Sequence, residues 1–266
     1  MKKKITILTG AGISRESGIK TFRDCEDGLW ENYKVEDVCT TDAWENNREE
    51  VLAFYNARRK ELEGKVPNAG HKSLVDLEKD YDVTIVTQNV DHLHEEAGST
   101  NVIHLHGELT KARSTVYPKD VIDVGYGEIN IGDKCERGSQ LRPHIVLFGD
   151  SVPNMLKANK ELIRCDIFIV IGTSLNVYPA AGLVDEAIDL GKKVYMIDPT
   201  EPVMTPRESE AITFIKEVAT VGCNRLVNTL KIMAMSDNLK GKELFPEKME
   251  RGKKMLGSLD KDKNED

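Results

Sequence analysis

Apolar, β-branched runs recur along the chain at Ile5–Leu8, Val83–Val86, Val102–Leu105, Ile145–Leu147, Ile167–Ile171 and Val194–Ile197. Several are continuous rather than alternating, the pattern of parallel strands buried on both faces. Between them the spacing of apolar positions predicts helices over Asp42–Glu63, Ala69–Lys79 capped by Asn68, Pro153–Arg164, and Pro179–Leu190 stopped at Gly191. Strands and helices alternating in this way predict an α/β fold, a Rossmann-like, doubly wound parallel sheet. Two segments break the rhythm: 29–64 is a long helical insertion, and 109–140 is polar, glycine-containing and aperiodic. The expected organisation is one folded domain over 1–235, with a large lobe of about 1–28, 65–108 and 141–235 and a smaller inserted lobe of about 29–64 and 109–140. From 236 to 266, Lys, Glu and Asp dominate a charged tail.

Composition narrows the class. The 266 residues are 31% charged and 39% hydrophobic, and no run approaches the roughly 18 apolar residues of a membrane span. The opening MKKKITILTG has too short an apolar stretch for a signal peptide and reads as a first strand. Five cysteines, scattered at positions 25, 39, 135, 165 and 223, argue against a disulfide framework and for the reducing cytoplasm. A net charge of -8 disfavours nucleic acid as a general partner.

Candidate chemistry falls at strand ends. In TILTGAGISRESGIKTFRD, residues 6–24, Gly10 and Gly12 let backbone amides approach a pyrophosphate, but Arg15 stands where a dinucleotide fingerprint carries a small residue for helix packing. In TQNVDHLHEEAG, residues 87–98, Gln88, Asn89 and Asp91 are ligand candidates or an ordinary helix cap. In VIHLHGEL, residues 102–109, His104 and His106 share a strand face; without an evident third metal ligand, one proton-transferring histidine is the more economical reading. Thr173 and Ser174, after Gly172, can meet phosphate or ribose oxygens, and Asp198 can accept from a ribose hydroxyl. Singly, Thr173, Ser174 and Asp198 are turn residues more often than site residues.

In order, GAGIS, SGIKTFRD, TQNVDHLHEEAG, LHGEL, RPHIVLFGD and GTSLNVYPAAGL resemble the motifs of the sirtuin (Sir2) family of NAD-dependent protein deacylases, over about Ile5 to Leu230. The resemblance implies NAD as cofactor, acylated-lysine proteins as partners, and nicotinamide and O-acyl-ADP-ribose as products. It implies that Gly10, Ala11 and Gly12 cradle the pyrophosphate and that Phe22, Arg23 and Asp24 belong to a loop closing over NAD. Ile13 and Asp91 would hold the nicotinamide carboxamide, Ser14 and Asn89 the adjoining ribose, with Gln88 beside them. Gly172, Thr173 and Ser174 would take further phosphate and ribose contacts, with Asp198 and Cys223 near the adenosine. His106 would be the general base, with Asn89 also in the catalytic set. A substrate peptide would lie extended between Val146–Gly149, which includes Phe148, and Asn176, Val177 and Tyr178.

The pair Tyr55 and Arg58, with small Cys39 sixteen residues before Tyr55, resembles members that prefer succinyl- and malonyl-lysine. Most sirtuins hold a structural zinc on two Cys-x-x-Cys pairs. Here the corresponding positions carry Ser114, Tyr117, Cys135 and Gly138, so no zinc is expected and packing around Val116, Tyr117, Val121 and Ile131 is expected to hold the small lobe. Lys20, Leu147 and Asp150 also depart from the usual motifs, where proline, Trp and Glu stand. The alternatives are an NAD glycohydrolase or ADP-ribosyltransferase using the same pocket, and a non-enzymatic NAD-binding module. The groove motifs and the joint presence of His106, Asn89 and Asp91 favour the deacylase.

Overall fold

A computed structural model describes residues 2–20, 33–175 and 177–236. Strand β1 (Lys4–Thr9) runs into two short 3-10 turns at Ala11–Ile13 and Arg15–Ser17. Helices α1 (Val35–Val38), α2 (Thr41–Asn46), α3 (Arg48–Glu61) and α4 (Ala69–Leu77) precede β2 (Asp82–Thr87) and α5 (Leu93–Ala97). Then come β3 (Val102–His104), β4 (Gly107–Ser114), β5 (Val121–Asp123), β6 (Leu141–Ile145), α6 (Met155–Arg164), β7 (Ile167–Ile171), α7 (Gly182–Asp189), β8 (Lys193–Ile197), α8 (Pro206–Ala211) and β9 (Ile212–Ile215).

Six strands form one parallel sheet in the order β3-β2-β1-β7-β8-β9. The chain leaves β1 in one direction for β2 and β3, then returns to its other side for β7, β8 and β9. The strand order therefore reverses between β1 and β7, and in doubly wound sheets ligands bind outside the strand ends at that point. The continuous apolar runs belong here: β7 is buried at all five positions, and the core on one face joins Leu8, Val86, Phe168, Val170 and Met196 to Ala158 and Leu162 of α6 and Leu183 and Val184 of α7.

A second sheet is antiparallel, in the order β5-β4-β6. Two strands thus lie in the stretch expected to be aperiodic. On β4 the inward residues are Gly107, Leu109, Ala112 and Ser114, mostly small or polar, and the register with β6 shifts between Glu108 and Ala112. A bulge moves side chains to the other face, so no alternation survives in the sequence. The strand expected at Ile145–Leu147 ends where that run begins: β6 covers Leu141–Ile145 and belongs to this small sheet.

The helix expected over Asp42–Glu63 is two, because Asn47 takes a non-helical backbone (φ -144°, ψ 55°) between α2 and α3. The cap expected at Asn68 is a capping box: its side chain accepts from the Gly70 and His71 amides, and the His71 ring accepts from the Asn68 amide.

Packing around Val116, Tyr117, Val121 and Ile131 does not hold the small sheet: all four are substantially exposed, Val116 at 62%. The core is instead Leu109, Ala112, Ile129, Cys135 and Leu141 against Val51, Leu52, Phe54 and Tyr55 from α3 and Leu62 just after it. Arg59, fully buried, joins these parts by donating to the carbonyls of Leu109 and Gly127 and to Asn56, whose amide in turn pairs with the main chain of Ile129. These elements lie within a compact unit ending at Asn224; a second unit begins at Arg225, and its described residues, 225–236, are helical. No helix among the described residues is long and apolar enough to cross a membrane.

Candidate active site

The reversal point is closed by three glycines. The Gly10 amide donates to the Ile171 carbonyl and the Gly12 amide to the Gly172 carbonyl, at 2.9 and 2.8 Å. A side-chain carbon on Gly12 would lie 2.6 Å from Gly172 Cα. One on Gly172, whose φ is +60°, would lie 2.6 Å from the Ile13 amide nitrogen. Only glycine permits backbones to cross this closely. Past Gly12 the chain turns twice in 3-10 form and reaches Gly18 at φ +80°, so Arg15 begins a turn rather than occupying a helix–sheet contact. Phe22, Arg23 and Asp24 lie outside the described residues, as does Asn176.

Beneath this crossing lies a buried polar set. The Ser14 hydroxyl donates to Asp91 Oδ2 at 2.9 Å and accepts from Asn89 Nδ2 at 3.1 Å; Ser14, Asn89 and Asp91 are all buried. Burial raises the Asp91 carboxyl pKa, against donation from the Leu93 amide and Ser14 and the charges of His104 and His92. Ile13, fully buried, is held between the glycine crossing and Asn68, which donates to its carbonyl. Gln88 Nε2 donates to Thr173 Oγ1 at 3.0 Å, joining the ends of β2 and β7. Asp198, at the end of β8, is buried and accepts from the Thr200 amide. Cys223 is also buried, and its thiol is pushed up to about 12 by desolvation and by Glu16.

His106 is half-buried, and its Nδ1 lies 3.0 Å from the Gln88 carbonyl. A carbonyl only accepts, so Nδ1 carries the proton and Nε2 keeps its lone pair. Burial lowers the ring's pKa despite that bond, favouring the neutral, proton-accepting form near neutrality. His104 faces the neighbouring carbonyl: Nδ1 is 3.3 Å from the Asn89 oxygen, while Nε2 meets Glu95 at 2.8 Å. Burial works against a charge on His104, but the Glu95 carboxylate outweighs it and raises the pKa. The two histidines thus lie against successive carbonyls of the same turn, one near a carboxylate and one not. No group of three or more potential ligands suited to a metal occurs among the described residues.

Two further histidines escaped the sequence reading. His71 and His94, both buried, stack edge to face with ring centroids 4.9 Å apart; His71 Nε2 lies 3.5 Å from Ser14 Oγ, and His94 Nε2 lies 3.1 Å from Thr9 Oγ1. Desolvation lowers His71 to about 4 and His94 well below its ordinary value. For His71 the available signal was a histidine at an apolar-phase position of the helix expected over Ala69–Lys79, which equally suits a satisfied core residue.

Tyr55 is buried with its hydroxyl 3.6 Å from Cys39 Sγ. Burial raises both groups, and the Arg58 charge draws both back down, so Cys39, Tyr55 and Arg58 share one locality. Val146 donates its amide to the His106 carbonyl, tying this segment to the histidine. The Phe148 amide and carbonyl are taken by the Cys39 carbonyl and the Thr41 amide at 2.8 and 3.0 Å. An added peptide strand therefore cannot use the Phe148 main chain as it stands. Phe148 is 49% exposed, Gly149 has φ +99°, and Tyr178 is 71% exposed next to Val177, whose carbonyl accepts from the Ala181 amide. At the positions where a zinc would be held, Ser114 Oγ accepts the amides of Val116 and Tyr117 and bonds to the Cys135 thiol, which that contact keeps below its ordinary range. One thiol facing a hydroxyl does not fit a tetrahedral structural zinc.

Reversal of strand order at a glycine-locked crevice, with buried polar side chains beneath it, is the plan of a dinucleotide-binding α/β protein. The Sir2 family matches residues 10–179. An NAD-dependent protein deacylase of Aggregatibacter actinomycetemcomitans is 56% identical over 199 residues, covering 75% of this chain and 94% of the relative. One of Bacteroides thetaiotaomicron is 48% identical over 234 residues, covering 86% and 98%. The crystal structure of a Sir2 homologue with NAD superposes with a TM-score of 0.77 at 36% identity, covering 88% of this chain and 91% of the other. The chain belongs to the Sir2 family.

Proposed function

We propose that this chain is an NAD-dependent protein-lysine deacylase that prefers acyl groups ending in a carboxylate, succinyl and malonyl, over acetyl. The enzyme class follows from family membership and from the names of its relatives. NAD, consumed as a second substrate, supplies the ribose carbon that takes the acyl amide oxygen as nicotinamide leaves. The chain's own part is positioning and proton transfer. The glycine crossing of Gly10, Gly12 and Gly172 would let main-chain amides reach the pyrophosphate. Ser14, Asn89 and Asp91, fixed by their mutual bonds, would orient the nicotinamide ribose, and His106 Nε2 would take a ribose hydroxyl proton.

The acyl preference is carried by one observation: a buried tyrosine hydroxyl, a small cysteine and an arginine charge acting on both. A carboxylate there gains charge-assisted hydrogen bonds, whereas acetyl offers no such acceptor. The difference is on the order of 1–3 kcal/mol, or about 10- to 100-fold in selectivity. The test compares succinyl-, malonyl- and acetyl-lysine peptides on the wild type and on Arg58→Met. Preference for acetyl, or a succinyl preference that the substitution leaves untouched, contradicts the reading.

A further inference from the structure

Arg113 on β4 and Arg142 on β6 stand directly opposite each other in the small sheet, an arrangement in which like charges repel. One carboxylate reconciles them: Asp150 Oδ2 lies 3.2 Å from the NH2 of each, and it also accepts the Leu147 amide at 3.1 Å. Two cations on one anion leave a surplus positive charge. Arg142 brings that charge inward, with its guanidinium 5.2 Å from the centroid of buried Trp44. Arg142 is itself only 9% exposed, and its Nε–H is buried with no acceptor among the described residues. Leu147 belongs to the same core as Trp44, Cys39 and Tyr55, and the adjoining Phe148 amide is bonded to the Cys39 carbonyl. The Arg142 charge also acts on the Tyr55 phenol in the same sense as Arg58.

We propose that Arg142, fastened by Asp150 against Trp44, is a specificity-determining residue: a second guanidinium at the Tyr55 end of the acyl pocket, with an unused donor, that favours acyl chains ending in a carboxylate. The inference rests on the acyl pocket proposed above. It assigns to Asp150 a positioning role, because that carboxylate sets Arg142 and the Leu147 amide together. Arg142→Met is a clean deletion, since Asp150 keeps its pair with Arg113.

The experiment measures kcat and KM for succinyl- and acetyl-lysine peptides on wild type, Arg142→Met, Arg142→Lys and Arg58→Met. In Arg142→Met the succinyl-to-acetyl ratio of kcat/KM should fall roughly tenfold, through KM for the succinyl peptide, as expected for a lost charge-assisted contact. Arg142→Lys, which keeps the charge, should recover most of the ratio. Equal losses for both peptides, an unchanged ratio, or a lysine variant no better than methionine would overturn the proposal. Should Arg142→Met lose its cooperative melting transition, Arg142→Gln is read by the same criteria. If Arg58→Met abolishes the preference while Arg142→Met and Arg142→Lys leave it intact, only the Arg142 inference fails. If the wild type shows no preference, the acyl-pocket reading falls and this inference with it.

Discussion

At the nucleotide end of the molecule, the side chains that converge lie within a few residues of the carboxyl ends of β1, β2, β7 and β8, and main-chain geometry does most of the positioning. At the proposed acyl end, the groups that meet come from Cys39 just after α1, from α3, β4, β6 and the turn after β6, held by side chains reaching across long stretches of sequence. One end is a property of the parallel sheet, which any sequence forming that sheet with glycine at the crossing shares. The other depends on two particular buried guanidinium groups, Arg59 and Arg142, and on the half-buried Asp150 that pairs with Arg142. Cofactor use should therefore tolerate change at the acyl end, while acyl choice should not.

The largest effect is expected where the two ends meet. His106→Tyr removes the ring whose Nε2 keeps its lone pair and should lower deacylation by roughly 10²-fold or more. NAD binding, measured by calorimetry, should persist; near wild-type turnover would assign the base elsewhere.

Next, the contrast between the ends can be broken by one substitution on each. Gly172→Ala forces a carbon to within 2.6 Å of the Ile13 nitrogen at a positive φ. That should cost about 1–3 kcal/mol and weaken NAD binding severely. Arg59→Met leaves the carbonyls of Leu109 and Gly127 without their donor, at a similar cost of about 1–3 kcal/mol. Its effect should appear in urea stability and peptide KM, with NAD binding nearly intact. Equal losses of NAD binding in both variants would show that the two ends are not separately built.

The most gradual effect concerns pH. His71 is lowered to about 4 by burial, against an ordinary 6.5. Above 6.5 the ring is neutral folded and unfolded, so its contribution to stability is fully present. As pH falls from 6.5 toward 4, the unfolded chain takes a proton that the folded chain refuses, and stability drops by up to about 1.4 kcal/mol per unit. Denaturant titrations at stepped pH should show this slope flattened in His71→Gln; an unchanged slope would place the acid sensitivity in other groups.

How much could be read from the sequence follows the same division. The parallel strands were legible because burial on both faces makes a strand a continuous apolar run, as at Ile167–Ile171. Gln88, Asn89, Asp91 and His106 were legible because they lie just past such runs. β9 was missed although Ile212–Ile215 is apolar, since it follows α8 with no turn signal between them. β4 was missed because its inward face is Gly, Leu, Ala and Ser around a bulge, which no alternation rule finds. Nothing in Asn-Ala-Arg-Arg tells Arg58 from Arg59, yet one is half-buried beside Tyr55 and the other fully buried in the small-sheet core. That choice is made by tertiary contacts with Gly127 and Leu109, far away in sequence.

The most direct test of the account offers the protein NAD with an equimolar mixture of succinyl-, malonyl- and acetyl-lysine peptides of one sequence and follows nicotinamide and the acyl-ADP-ribose products by mass. The account predicts one nicotinamide per acyl-ADP-ribose, with succinyl and malonyl products exceeding acetyl by about tenfold or more. Nicotinamide released without acyl-ADP-ribose, or acetyl product in excess, would contradict it.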